Sequence, residues 1–241
     1  MGGGQMRIPN RAGGPSRVLV RRRGRGRALE IDGTFASFYE PGRAGTGSVW
    51  DALAAPLLLL PPGRRRRVLI LGLGGGSAAR LLRALAPRAH IVGVELDPDV
   101  VEAARRFLDL DGLGVELVRG DALAFLRRSR RSFDVVVDDV FVGRGRAVRK
   151  PDWLPAPGLA LAARRVAPGG LLLSNALDEA PAAERLLRRL FPRVLRLAVE
   201  DYDNRILVGG PSPLAARALR AAAGAHPLLR PVLPRLSFRS L

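Results

Sequence analysis

The fold of this chain is decided by the stretch Val68-Leu69-Ile70-Leu71-Gly72-Leu73-Gly74-Gly75-Gly76-Ser77, which is followed by Val92-Gly93-Val94-Glu95. The apolar residues predict a buried strand, and the glycines after it allow a tight turn whose backbone N–H groups can approach a ligand closely. Glu95 comes 19 residues after Gly76, at the end of the next expected strand. A carboxylate at that place can accept hydrogen bonds from both hydroxyls of a ribose. The pattern therefore predicts a site for an adenosine-type cofactor at Gly72, Gly74, Gly75, Gly76 and Glu95.

Length and composition restrict the class of protein. The 241 residues fit one α/β domain with short additions. The chain has no cysteine, which excludes disulfides, thiolate catalysis and cysteine-ligated zinc. His90 and His226 are far apart and lack an acidic ligand pattern, so no metal site is expected. Residues 1–15 have no apolar core of a signal peptide and are expected to be disordered. The apolar stretch 53–60 contains a proline and is too short to span a bilayer, so we expect a cytoplasmic protein without a membrane partner.

The formal net charge is +18, and nearly all of the basic residues are arginine, with Lys150 as the single lysine. Together with the many Ala, Leu, Gly and Pro residues, this composition is typical of a GC-rich genome. An excess of this size attracts polyanions. The runs Arg21–Arg23 and Arg64–Arg67, however, lack interleaved aromatic residues, so they do not indicate a surface on which bases stack. Nucleic acid is therefore a less favoured partner, but the sequence does not exclude it.

The order of expected elements predicts a leading hairpin and then a doubly wound sheet. Residues 17–22 and 28–39 alternate like two strands, which gives a β-hairpin and loop over residues 16–47. Five apolar strands alternate with helices from residue 67 onward, and two successive strands at 194–199 and 205–208 suggest an antiparallel edge. This pattern predicts a mainly parallel, seven-stranded, Rossmann-like α/β domain over residues 48–210. Residues 211–241 are expected to form a C-terminal helix or tail.

Two later motifs distinguish between a nicotinamide cofactor and S-adenosylmethionine (SAM), because the glycine turn alone fits both. Gly120-Asp121-Ala122 follows the third strand, where a short acid can accept the adenine amino group. Asp138-Asp139 ends the fourth strand, at the edge where reacting groups converge in open α/β sheets. A dehydrogenase would need neither motif, and it would usually continue into a substrate domain. SAM or a relative of it is therefore the favoured cofactor, although Asp121 would also be a sensible helix cap without any ligand.

Over residues 28–208 the chain resembles the spermidine synthase-like aminopropyltransferases, a branch of the class I SAM-dependent methyltransferase fold. The resemblance lies in Ile31-Asp32-Gly33, Ser48-Val49-Trp50-Asp51, the glycine turn, Val94-Glu95-Leu96-Asp97, Gly120-Asp121-Ala122, residues 133–139 and Ala167-Pro168-Gly169-Gly170. It implies SAM or decarboxylated SAM as cofactor, with Leu96, Asp121, Ala122 and Asp138 added to the cofactor-binding residues. It also implies Asp139 as the catalytic residue, which orients or deprotonates a small-molecule acceptor. The substrate-binding residues that it implies are Tyr39, Trp50, Asp51 and Phe141. Since this family often pairs, a homodimer is expected.

Two departures from the family pattern weigh against a polyamine acceptor. The family has an aspartate in its glycine turn that holds the amine of decarboxylated SAM, and the matching position here is Gly75. The second acid of its fourth-strand motif is replaced by Val142. Each missing partner of a charged amine costs roughly 1–3 kcal/mol. The loop after Asp139 instead carries Arg144, Arg146, Arg149 and Lys150, which suit a carboxylate or phosphate, unless this loop is simply a solvated flap.

Three hypotheses follow from the sequence. The first is a SAM-dependent transferase that methylates a small-molecule acceptor. The second is an aminopropyltransferase that uses decarboxylated SAM and a polyamine. The third is a non-catalytic SAM-binding or nucleic-acid-binding protein.

Overall fold

The computed structural model describes residues 5–7 and 17–241, and it places the main β-strands in one eight-stranded sheet. The strands of this sheet are β5 (Arg67–Leu71), β6 (His90–Glu95), β7 (Glu116–Arg119), β8 (Phe133–Asp138), β9 (Val166–Ala176), β10 (Arg193–Val199), β11 (Arg205–Gly210) and β12 (Leu236–Ser240). Their spatial order is β12-β10-β11-β9-β8-β5-β6-β7. The five strands β5 to β9 pair in parallel, and β10, β11 and β12 pair antiparallel at one side. The doubly wound, mainly parallel sheet expected from the sequence is confirmed.

The sheet has one strand more than the seven expected. The additional strand, β12, pairs with β10 from Leu195↔Ser240 to Val199↔Leu236. The segment after residue 210 therefore contributes a helix and a strand to this domain, and the boundary expected there does not separate a tail from the sheet. The Ala/Leu/Arg/Pro-rich composition of this segment concealed a strand of only five residues, of which Leu236 is buried.

The helices cover both faces of the sheet. They are α1 (Val49–Ala54), α2 (Ser77–Leu85), α3 (Pro98–Phe107), α4 (Ala122–Arg128), α5 (Gly158–Ala163), α6 (Ala180–Leu190) and α7 (Ala216–Ala225). One apolar core joins α1, α2 and α7 to one face, and a second core joins α4, α5 and α6 to the other. Strands of a parallel sheet that is covered on both faces are mainly apolar, as residues 68–71 of β5 and residues 135–137 of β8 are. Within the described ranges, none of the helices has the length and apolar character needed to cross a membrane.

A separate antiparallel sheet precedes this domain. Its strands are β1 (Gln5–Arg7), β2 (Val18–Arg23), β3 (Gly26–Ile31) and β4 (Thr34–Tyr39), in that spatial order. The stretch 28–39, expected to be one strand, is two strands joined by a turn in which Asp32 and Gly33 have positive φ angles of 49° and 78°. The disorder expected for residues 1–15 falls outside the described residues, apart from Gln5–Arg7, where a strand stands in its place.

The two sheets meet at the glycine turn. The Gly75 N–H donates to Ser37 Oγ over 2.7 Å, and the Ser77 hydroxyl donates to the Phe38 carbonyl over 2.9 Å and accepts from the Phe38 N–H over 2.7 Å. Ser37 and Ser77 are both buried. These contacts fix β4 of the small sheet beside the carboxyl edge of β5, where the candidate site lies.

Candidate functional site

A cavity of about 1090 Å³ opens at the carboxyl edge of the parallel strands, between this edge and the small antiparallel sheet. Its lining includes the ends of β5, β6 and β8 and the turn after β7, together with residues from the start of β4 and of α1. Ligands of open α/β sheets bind outside the carboxyl ends of the strands, where the order of strands reverses. Here that reversal lies between β5 and β8, which occupy neighbouring places in the sheet.

Of the four glycines predicted to bind a cofactor, Gly72 and Gly74 line the cavity. Gly72 has a φ of +79°, and a Cβ there would lie 2.6 Å from the carbonyl oxygen of Asp139. The absence of a side chain thus allows the turn to run directly against the end of β8. The Gly74 N–H donates to Oε2 of Glu95 over 2.8 Å, which joins the turn to the next strand.

Gly75 and Gly76, which were also predicted to bind the cofactor, lie outside the cavity lining. A Cβ on Gly75 would meet the Ser37 Cβ and the Leu108 side chain, each at 2.7 Å. A Cβ on Gly76 would approach the side chains of Leu110 and Leu113 at 3.0 and 3.2 Å. Packing therefore excludes a side chain at Gly75, whereas a side chain at Gly76 would require Leu110 and Leu113 to shift. At Gly75, the position that carries an aspartate in the resembled family, this structure has no room for a side chain.

Glu95 lines the cavity at the end of β6 and accepts backbone hydrogen bonds with both of its oxygens. Oε2 accepts the Gly74 N–H, and Oε1 accepts the Asp97 N–H over 3.0 Å. Burial raises the pKa of Glu95, and the backbone N–H groups partly oppose this. Because each carboxylate oxygen can accept more than one hydrogen bond, the oxygens retain capacity for the hydroxyls of a ribose.

Leu96, Asp121 and Ala122 line the same end of the cavity. Asp121 caps α4, its Oδ1 accepting the Ala124 N–H over 2.7 Å. Leu96 is 66% exposed and lines the cavity with an apolar side chain. An apolar surface at this place fits the face of a planar base. The structure thus brings together Glu95, Leu96, Asp121 and Ala122 as the sequence predicted, and we call this part of the cavity the nucleoside end.

Asp138 and Asp139 occupy different environments although they are adjacent. The Asp138 side chain is buried behind the cavity, where Lys150 Nζ lies 2.9 Å from Oδ1 and the Ser174 hydroxyl donates to Oδ2 over 2.7 Å. Both members of the ion pair are almost completely buried. Asp138 is absent from the cavity lining, so its predicted role in cofactor binding is corrected to that of a buried anchor.

Asp139 does line the cavity, and two donors hold its carboxylate. The Trp50 indole N–H donates to Oδ2 over 3.1 Å, and the Asn175 amide donates to Oδ1 over 2.7 Å. Burial is the main cause that raises the pKa of Asp139 to about 6, while the Asn175 amide, the nearby charge of Lys150 and the Trp50 N–H oppose it. A carboxylate that titrates near neutrality and faces a cavity is suited to accept a proton.

Of the four predicted substrate-binding residues, Trp50 and Phe141 line the cavity. The Trp50 ring packs edge-on against Phe35, with 5.3 Å between the ring centroids. Tyr39 lies elsewhere, beneath the guanidinium of Arg80, which is 4.4 Å from the ring centroid. Asp51 is buried, and it accepts hydrogen bonds from the backbone N–H groups of Thr46 and Gly47. Both residues therefore serve the fold around the site and do not reach the cavity.

Sequence reasoning missed three residues that line the cavity beside Asp139, namely Asn175, Tyr202 and Asn204. Asn204 donates to Oδ1 of Asn175 over 2.8 Å, which orients the Asn175 amide so that its NH₂ group faces Asp139. A signal for Asn175 was present, because Ser174-Asn175 interrupts an apolar run at the carboxyl end of β9 just as Asp138-Asp139 does in β8. We call the part of the cavity around Asp139, Trp50, Asn175 and Asn204 the acceptor end.

The cavity is acidic although the chain is strongly basic. Within the described residues, two arginines line it, Arg17 and Arg144. The acids that line it are Asp32, Glu95, Asp97, Asp99, Asp121 and Asp139. The net charge of the whole chain therefore does not predict the charge that a ligand meets in this cavity.

The loop after β8 does not present all of its basic groups to a ligand. Lys150 is buried against Asp138, with its Nζ also 4.3 Å from the Phe141 ring centroid. Arg149 pairs with Asp152 over 2.8 Å. The Arg146 side chain lies outside the part that the structure describes. Arg144 remains as the member of this group that faces the cavity.

Comparison with known proteins agrees with this geometry. Residues 68–170 match a family model described as a methyltransferase domain. A Drosophila melanogaster eEF1A lysine and N-terminal methyltransferase homolog is 32% identical over 150 residues, which are 58% of this chain and 22% of that protein. The polyamine aminopropyltransferase of Mycobacterium tuberculosis H37Rv is 40% identical over 124 residues, which are 45% of this chain and 22% of that protein. The chain thus spans about a fifth of the length of these curated relatives.

Two solved structures share the fold over most of the chain. A probable spermidine synthase from Corynebacterium glutamicum has a TM-score of 0.71 and 20% identity, over 92% of this chain and 87% of the other. Human methyltransferase-like protein 13, solved with SAH, has a TM-score of 0.61 and 23% identity, over 77% and 92%. The fold is therefore that of the class I SAM-dependent methyltransferases. The likeness to the probable spermidine synthase extends over 92% of the chain, beyond residues 68–170 that match the methyltransferase domain.

Proposed function

We propose that this chain is a SAM-dependent methyltransferase that acts on a small-molecule acceptor. The observation that supports it best is the position of Asp139. Its carboxylate faces the acceptor end, while its backbone carbonyl lies so close to Gly72 that no side chain fits between them. A group bound on the glycine turn would therefore lie beside the acid.

The residues of the nucleoside end fit the adenosine part of SAM. Glu95 can accept the ribose hydroxyls, Asp121 can accept the adenine amino group, and Leu96 offers an apolar surface to the base. The backbone at Gly72 and Gly74 allows close approach of the ligand. The class of the fold, which binds SAM, agrees with this assignment.

Once bound, SAM supplies an electrophilic methyl group on a positively charged sulfur. Asp139 is placed to orient the acceptor and to take the proton that the acceptor atom loses as its bond to the methyl carbon forms and the carbon–sulfur bond breaks. Trp50 and Asn175 hold the carboxylate in one orientation. Since the donor is already activated, alignment and exclusion of water are the main contributions of the protein.

Aminopropyl transfer from decarboxylated SAM to a polyamine is the second candidate, and the acidity of the cavity favours it. A cationic amine is attracted by a cavity in which acids outnumber arginines. The similarity to the Mycobacterium tuberculosis polyamine aminopropyltransferase points the same way. Against it stand Gly75, where the structure has no room for an acid, and Val142, an apolar residue that lines the cavity. The homodimer and the cytoplasmic location expected from the sequence stay predictions.

The test is to supply the purified protein with either SAM or decarboxylated SAM, together with a panel of small amines, alcohols and carboxylates that includes putrescine. Products are followed by mass spectrometry. We expect S-adenosylhomocysteine and a methylated acceptor from SAM, with loss of both in Asp139→Asn. Release of methylthioadenosine from decarboxylated SAM and putrescine alone would instead establish the second candidate.

A further inference from the structure

Two arginines share one carboxylate at the cavity wall formed by the small antiparallel sheet. Arg17 Nε lies 3.0 Å from Oδ2 of Asp32, and Arg144 Nε lies 3.5 Å from Oδ1 of the same residue. All three residues line the cavity. Within the described part of the chain, these arginines are the cationic side chains of its lining. This group is therefore the one place in that lining where an anion meets positive charge.

The arrangement leaves charge and donors available to a ligand. The Asp32 side chain is only 9% exposed, and its single negative charge is shared by two guanidinium groups, so one positive charge remains uncompensated within the group. A guanidinium has five N–H donors. The contacts with Asp32 involve the Nε atoms, and the side chains of Arg17 and Arg144 are 52% and 75% exposed. Both arginine side chains are thus partly exposed, and both belong to residues that line the cavity.

Backbone contacts bring the three residues together from distant parts of the chain. The Asp32 N–H donates to the Arg17 carbonyl over 2.8 Å, which fixes the turn between β3 and β4. The Gly145 N–H donates to the Thr34 hydroxyl over 3.0 Å, which ties the loop that carries Arg144 to this turn. The two guanidinium groups therefore lie on either side of Asp32 before any ligand binds.

A planar carboxylate is well suited to such a pair of guanidinium groups, because each can donate two parallel hydrogen bonds. We infer that Arg17 and Arg144 bind the carboxylate of the methionyl arm of SAM and so select SAM over decarboxylated SAM, which lacks that group. This inference rests on the proposed function, since it requires a SAM-like cofactor in the cavity. It adds a specificity determinant that acts on the cofactor and not on the acceptor.

The test is calorimetric titration of SAM, decarboxylated SAM and methylthioadenosine into the wild type, Arg144→Gln and the double variant Arg17→Gln/Arg144→Gln. Arg149→Gln is the matched control, because Arg149 belongs to the same loop but pairs with Asp152 and does not line the cavity. Loss of a charge-assisted contact predicts that the double variant binds SAM on the order of 10- to 100-fold more weakly. Its affinity for the two ligands without a carboxylate is expected to change less than about twofold.

Unchanged SAM affinity in the double variant would overturn the inference, and so would an equal loss for all three ligands, since that would indicate a general structural role. A wild type that prefers decarboxylated SAM would overturn it as well. The proposed function fails separately: SAM that binds with the expected arginine dependence but never yields a methylated product would refute methyl transfer and leave the carboxylate subsite intact.

Discussion

The nucleoside end and the acceptor end of the cavity are built in different ways. The nucleoside end comes from two consecutive strand–helix units and the turn after β7, so Gly72, Glu95 and Asp121 follow one another in the chain at the spacing set by the fold. The acceptor end joins Trp50 of α1 and Asn204 of the β10–β11 turn to Asp139 and Asn175. The first depends on local spacing and the second on the topology of the whole sheet. Variants at the two ends should therefore fail in different assays.

The largest effect is expected for Asp139→Asn, which removes the proton acceptor but keeps the size of the side chain. Turnover should fall on the order of 10²- to 10⁴-fold, because general-base assistance contributes about that much. SAM affinity, set at the nucleoside end and by Arg17 and Arg144, should stay within about twofold. Steady-state kinetics and calorimetry measure the two quantities. Asp152→Asn is the control, since the Asp152 side chain is 92% exposed and lies outside the cavity lining. Equal loss of turnover and SAM affinity would mean that the two ends are not separable.

The next largest effect is expected for the buried ion pair between Lys150 and Asp138, which lies behind the acceptor end. Lys150→Met leaves Asp138 as a buried carboxylate without its cation, and breaking such a pair destabilises a protein by about 3–5 kcal/mol. Chemical denaturation measures the loss. The adjacent variant Arg149→Met removes an exposed ion pair with Asp152 and should cost less than about 1 kcal/mol. Adding Asp138→Asn to Lys150→Met should recover part of the stability. A loss in Lys150→Met no greater than in Arg149→Met would contradict a buried anchor.

Gly72 lies where the two ends touch, so Gly72→Ala should affect both. Its φ of +79° disfavours any side chain, and a Cβ would lie 2.6 Å from the Asp139 carbonyl. Strain and overlap together predict a destabilisation of about 2–4 kcal/mol, and we expect weaker SAM binding and slower turnover as well. Gly63→Ala is the control, because no atom lies within 4 Å of a Cβ there. Wild-type stability in Gly72→Ala would show that the turn can move away from β8.

The sequence placed the residues of the nucleoside end together, and the exception at Gly75 has a physical cause. Glu95, Leu96, Asp121 and Ala122 all line the cavity as expected, because a strand end and the helix that follows it fix their positions. Gly75 belongs to the same short motif but packs against Ser37. That contact comes from the small antiparallel sheet, whose docking no spacing within residues 68–95 could reveal.

The acceptor end was predicted only in part, for the same physical reason. Asp139 and Trp50 were identified separately, but the hydrogen bond between them depends on how α1 packs beside the sheet. Asp51 was expected to bind the substrate because the family resemblance implied it. It is buried instead as the acceptor for the Thr46–Gly47 backbone. Contacts between elements that are distant in the chain decide which polar side chains reach the cavity. Local sequence patterns do not reveal these contacts.

The ionisation of Asp139 at the acceptor end should make the stability of the folded protein depend on pH. The pKa of Asp139 is raised from its ordinary value of 3.8 to about 6, mainly by burial. Between these values the folded state keeps a proton that the unfolded state releases, so stability is lost as pH rises through this window. We therefore expect the melting temperature of the wild type, measured relative to Asp139→Asn, to decrease from pH 4 to pH 7. Other buried acids, including Glu95, remain in both proteins and cancel. If the difference in melting temperature between the wild type and Asp139→Asn is constant or increases with pH, Asp139 is not held in a desolvated environment.

The smallest effect is expected at Asn175, which donates to Asp139 and lowers its pKa. Asn175→Ala removes this donor, so the pKa of Asp139 should rise further. Because the carboxylate is the form that accepts a proton, activity falls as pH drops through that pKa. The acid limb of kcat/KM against pH should lie near pH 6 in the wild type and move upward by about one pH unit in the variant. Ser174→Ala is the matched control, since the neighbouring hydroxyl bonds to Asp138 and not to Asp139. An acid limb that moves equally in both variants would mean that it does not report the contact between Asn175 and Asp139.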